Sequence, residues 1–110
     1  MGFAANQARL MALISRRSDL ELDSQIFSQH RMYLANMLSG YFNMQTKLEP
    51  ESQAYKALEG RIKQLQHADK ILEMHMRRVD SQRDAVIKEL DSTEKLIQKN
   101  VDSSFGLMGK

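Results

Sequence analysis

YKALEGRIKQLQHADKILEMHMRRVDSQRDAVIKELDSTEKLIQKN, running from Tyr55 to Asn100, decides the architecture. Alternating steps of three and four residues land on Tyr55, Leu58, Ile62, Leu65, Asp69, Leu72, Met76, Val79, Arg83, Val86, Leu90, Thr93, Ile97 and Asn100, and ten of these fourteen are apolar. Apolar residues recurring every 3.5 residues or so form a stripe along one side of a continuous helix, and such a stripe is buried against another helix. No Pro or Cys interrupts the run, and its single glycine, Gly60, lies off the stripe.

A second stripe precedes it. Leu13, Leu20, Phe27, Leu34, Tyr41 and Leu48 are evenly spaced by one heptad, and the companion row Leu10, Arg17, Ser24, Arg31, Leu38 and Gln45 is half polar. Ile14, Ile26, Tyr33 and Met37 on this arm, and Ile71, Met74 and Ile87 on the other, lie beside the stripes. A two-stranded coil needs only the two seam rows, so this wider apolar face points to more than one partner helix. Ser39-Gly40 is the weak point of the first arm, because Gly costs up to ~1 kcal/mol inside a helix relative to Ala. A kink, a close approach by a neighbouring helix and a merely tolerated glycine all fit there. Tyr41, Met44 and Leu48 continue the pattern, so the helix is expected to reach about Lys47.

The one clear break is Leu48-Glu49-Pro50-Glu51-Ser52. Pro50 suits a first helical position, Glu49 before it is pushed out of the helical region, and Glu51 then favours the helix dipole. A turn this short folds two helices back on each other. The expectation is an all-α, antiparallel two-helix coiled-coil hairpin, oligomeric, with a single unit over 1–110: arm one about 7–47, turn 48–52, arm two about 50–105. Each arm would be roughly 65 to 80 Å long. Residues 1–6 read as frayed or as an assembly tail. At the other end Gly106 is expected to take a left-handed cap, with Leu107 making the accompanying apolar contact.

The helix-packing seam is thus assigned to Leu13, Leu20, Phe27 and Leu34 on the first arm, and to Leu58, Ile62, Leu65, Leu72, Met76, Val79, Val86 and Leu90 on the second. Arg17, Arg31, Asp69 and Arg83 are charges on that seam; such residues weaken a coil but set its register. In a hairpin turning near residues 48–50, Arg31 falls opposite Asp69, and the two either pair or extend past the seam edge to water. Thr93 and Asn100 make the end of the seam polar, so the hairpin's own pairing is expected to weaken there. Ile97, Val101, Phe105 and Leu107 nevertheless keep that end apolar on several faces. They read as an assembly tail seeking a partner from another chain, with Phe3 and Leu10 as the alternative neighbours within the chain.

With 110 residues the chain is one domain at most, and a pair of helices cannot bury a sizeable core. The eight Met either fill gaps in the seam or suit surfaces that repack against partners. Lys and Arg number 16 against 14 acids, a net charge of +2, and the signs alternate along Lys70, Glu73, Arg77, Asp80, Asp84 and Lys88. That is a solvated helix face; a nucleic-acid binder concentrates one sign on a stripe, so no nucleic-acid partner is expected. Without Cys there is no disulfide or thiol chemistry. No apolar run approaches the ~20 residues of a membrane span. The N-terminus has no secretory signal pattern, and Asn6 stands where a myristoylation motif needs Ser or Thr. The protein is expected to be cytoplasmic as synthesised and to leave only by a route without a cleaved signal.

No residue set carries chemistry. His67 and His75 lie about 80° apart on a helix and do not converge on a metal, and His30 is on the other arm. Asp19, Glu21 and Asp23 do not share a face, and no nucleophile elbow, phosphate loop or HExxH motif is present. No catalytic residue, cofactor or metal site is assigned, and an enzyme is not expected.

The plan resembles the needle subunits of type III secretion systems: a Cys-free helical hairpin with a Pro-containing turn, closing on Lys95-Leu96-Ile97-Gln98-Lys99-Asn100-Val101-Asp102-Ser103-Ser104-Phe105. The resemblance implies export without a cleaved signal and polymerisation through the C-terminal helix. This chain is longer than those subunits, and its turn differs from their Pro-bracketed polar turn. It also resembles the Trp-x-Gly hairpins of type VII secretion, with Leu38-Ser39-Gly40 in place of Trp-x-Gly, before the Pro turn rather than in it. The expected function is that of a non-enzymatic, self-assembling subunit packing hairpins side by side, in a secretion-linked or other helical assembly. The alternative is a soluble adaptor or chaperone that binds a partner's amphipathic helix.

Overall fold

The computed structural model describes residues 2–108, apart from the side chains of Leu107 and Met108. The fold is an all-α, two-helix hairpin: α1 spans Phe3–Gln45 and α2 spans Gln53–Met108. No strand occurs among the described residues. Both helices are rich in Ala, Leu, Met, Gln and Arg and contain no Pro, so local propensity and the seam agree.

The ends differ from the sequence expectation by a few residues, each for a local reason. Helix α1 starts at Phe3 rather than near Gln7, and Asn6 is only 2% exposed. The signal was present: Asn6 precedes Leu13 by the heptad that separates Leu13 from Leu20, so residues 3–6 continue the seam instead of fraying. The far end of α1 closes on three-residue steps, Lys47 N–H to the Met44 carbonyl and Leu48 N–H to the Gln45 carbonyl, each 3.1 Å. The Thr46 hydroxyl adds a bond to the Asn43 carbonyl at 2.7 Å, so the carbonyls left open by the last turn find donors.

Pro50 is not the first residue of α2. It sits second in a tight turn closed by Ser52 N–H to the Glu49 carbonyl at 3.0 Å, a place its fixed φ suits. Ser52 then caps α2: its Oγ accepts the Tyr55 N–H at 3.1 Å and donates to the Glu49 carbonyl at 2.8 Å. A serine with both bonds outcompetes proline as the helix start. At the other terminus α2 runs through Gly106 to Met108, and no described glycine has a positive φ, so the expected left-handed cap does not form. Gly40 likewise lies inside continuous α1.

Packing density divides the chain into two units, Met1–Asp23 with Val79–Lys110, and Ser24–Arg78. Each unit is built from part of α1 and part of α2. In the first, Leu13 and Leu20 from α1 and Val79, Val86 and Leu90 from α2 are buried, with Asn6 and Thr93 as buried polar residues. Phe3 reaches residues 100–105 and Arg9 reaches Glu89 at 3.5 Å, so the helices there are antiparallel. In the second, the same sense follows from Phe27 beside His75 and Arg31 beside Asp69. Here Ile62 alone among the apolar residues is buried; Phe27, Leu34, Leu58, Leu65, Leu72 and Met76 are half-buried.

Two stability measurements check this account. Ser52→Ala removes the cap of α2 and is expected to cost about 1 kcal/mol in urea unfolding, and a loss within error of zero would show the cap to be idle. Leu90→Ala, at a position 3% exposed, is expected to cost about 2 to 5 kcal/mol. Half-buried Leu72→Ala should cost clearly less, and the reverse order would contradict the burial described.

Candidate helix-packing surfaces

Within the second unit, Arg31 and Asp69 form the one cross-helix ion pair on the seam. Arg31 Nε donates to Asp69 Oδ1 at 2.8 Å and Nη2 donates to Oδ2 at 3.2 Å, a two-pronged geometry that fixes both side chains. The hydrogen bond from Arg31 holds the Asp69 carboxyl below its ordinary range, against the opposing effect of desolvation. The same bond raises the Arg31 guanidinium, with desolvation opposing it and the charges of Asp69 and Glu73 adding to it. Six residues away on α2, His75 stacks on Phe27 with ring centroids 5.8 Å apart and planes 13° from parallel. Spacing marks Phe27 as a seam residue but gives no sign that His75 covers it from the adjoining row.

In the first unit the polar seam residues behave differently. Arg17 lies 3.8 Å from Glu21, beyond hydrogen-bond reach, and its Nε is buried with no hydrogen-bond partner. Arg83 meets Asp80 of its own helix at 3.5 Å. Thr93 is 2% exposed, so the seam does not weaken there as its polarity suggested. Threonine is small enough to sit inside a seam and carries a methyl group beside its hydroxyl. Asn6, which the sequence reading left out of the seam, is equally buried, with Oδ1 unpartnered.

The C-terminal segment is partly held by its own chain. Ile97 and Val101 are half-buried, and a notch of about 300 Å³ is lined by Phe3, Asn100, Val101, Ser104 and Phe105. Phe105 is 70% exposed, and the Leu107 side chain assigned to the same tail lies outside the described residues.

The outward faces carry the apolar surplus. Ile14, Ile26, Tyr33, Ile71, Met74 and Ile87 are exposed, and Met37 is half-buried. Met11, Met32 and Met44 join them on α1. Among the described residues no group of three His, Cys, Asp or Glu is placed to hold a metal ion, and no helix is long and apolar enough to cross a membrane.

The Arg31–Asp69 pair carries a pH prediction. Because folding lowers the Asp69 pKa, the pair adds stability above the unfolded carboxylate range and loses it as pH falls below about 4. Both side chains stay about a third exposed, so screening holds the effect to roughly 0.5 to 1 kcal/mol. Asp69→Asn should therefore be the weaker protein in urea at pH 7 and approach wild type at pH 3; a gap independent of pH would contradict the assignment. No protein-family model matches the chain, and no curated protein and no solved structure is significantly similar to it, so the surfaces themselves bear the functional reading.

Proposed function

We propose that this chain is a non-enzymatic structural subunit that assembles by packing its helical hairpins side by side. The observation that carries this reading is the set of large apolar side chains left outside the seam, including Met11, Ile26, Met32, Tyr33, Met74 and Phe105, each 41% exposed or more. Burying such a side chain is worth about 1.5 to 3 kcal/mol, so burying several favours association strongly. The resemblance to secretion needle subunits supplies the setting, an assembly built from a subunit exported without a cleaved signal. The exposed methionines support a second reading, an adaptor that repacks its surface around a partner's amphipathic helix.

The test is apparent size and melting temperature across a dilution series. The melting temperature is expected to rise with protein concentration, because association stabilises only the folded chain. Light scattering should grow without a fixed end point, with filaments in micrographs of concentrated protein. A fixed small oligomer would favour the adaptor, and a monomer mass with a concentration-independent melt would remove the assembly reading.

A further inference from the structure

We propose that Met11, Met32, Met44 and Met74 form a redox-sensitive switch: a peroxide turns their thioethers into sulfoxides and keeps copies of this chain from packing together, while the hairpin itself stays folded. The proposal rests on the assembly reading and adds a means of regulating it.

The first observation is where the sulfur lies. Among the described residues, seven large apolar side chains are more than half exposed, and four of them are methionines: Met11 at 73%, Met32 at 67%, Met74 at 60% and Met44 at 53%. Three stand on α1 and one on α2. The sequence has no cysteine, so no thiol of the chain competes with them for an oxidant.

The second observation is where sulfur is scarce. Every buried apolar side chain is Leu, Ile or Val. Met76 on the seam and Met37 beside it are half-buried, and the side chains of Met1 and Met108 lie outside the described residues. The most exposed thioethers therefore face outward, and the buried positions that hold the two helices together contain none.

The chemistry acts on that division. A thioether sulfur attacks one oxygen of hydrogen peroxide; the S–O bond forms, the O–O bond breaks, and the second oxygen leaves as water with both protons. Sulfur loses two electrons and the peroxide gains them. The sulfoxide is polar and accepts hydrogen bonds, so an apolar contact that takes it in must supply a donor it lacks. Leucine or isoleucine at these four places would present similar apolar surface but could not be changed in this way. A thiol-dependent sulfoxide reductase reverses the step: the oxygen leaves as water and two thiols become a disulfide. Packed copies cover the methionines, so peroxide acts on the unassembled chain and holds it in that state.

The test treats the full chain with hydrogen peroxide at low protein concentration. Intact mass counts the added oxygens and peptide mapping places them; circular dichroism reads helicity and sedimentation reads association. Met11, Met32, Met44 and Met74 should gain oxygen several-fold faster than Met37 and Met76. The oxidised chain should keep its helicity and associate about tenfold more weakly or worse, and sulfoxide reductases for both epimers should restore association. A variant combining Met11→Leu, Met32→Leu, Met44→Leu and Met74→Leu, with the other methionines kept, should associate equally well before and after peroxide. Equal oxidation of Met76, or helicity lost once the four are oxidised, overturns the separation of surface from seam on which the switch depends. Oxidised protein that associates as before, or a Leu variant that peroxide still dissociates, overturns the switch and leaves the assembly reading standing. Untreated protein that stays monomeric at every concentration removes both.

Discussion

Each helix of this hairpin has one neighbour within its own chain, and the 3-4 seam is where most apolar surface leaves water. The rows of α2 withdrawn from solvent, from Tyr55 to Asn100, follow that spacing without a slip. A seam of this kind removes about two side chains per heptad from each helix. Every further apolar residue is left facing water or another molecule. The exposed Met, Ile, Phe and Tyr side chains are therefore a direct consequence of building a chain this apolar from only two helices.

Polar residues on the seam define its register more sharply than leucines do. Leu and Met tolerate a shifted neighbour, whereas the two bonds between Arg31 and Asp69 exist in one alignment only. That alignment also brings Phe27 beneath His75. Arg17 shows the opposite case: a charge at a seam position with no partner across it weakens the seam and specifies little.

The second unit separates its two kinds of surface. Its α1 segment carries one charge, Arg31, and is rich in apolar side chains, while its α2 segment carries Lys56, Lys63, Lys70, Arg77 and Arg78, with Glu59 and Glu73 beside them. A uniform mixture of charges would keep both helices solvated and give a partner no preferred side.

The spacing of apolar residues by itself determined the two-helix plan, because a period near 3.5 over so many turns fits no other secondary structure. The turn between the arms was equally legible from Pro50 and its neighbours. Composition and motifs also marked the wide apolar face. The boundary at Ser52 needed three dimensions, since a hydroxyl bonded to both Tyr55 and Glu49 outcompetes proline's preference for a helix start. So did the inclusion of Asn6 and Thr93 in the buried seam, where position relative to the opposite helix outweighs polarity. The sequence allowed Arg31 either to pair or to reach water, and only the approach of α2 to within 2.8 Å decided it. Residue spacing records which side of a helix a group occupies; what that group touches depends on the helix packed against it.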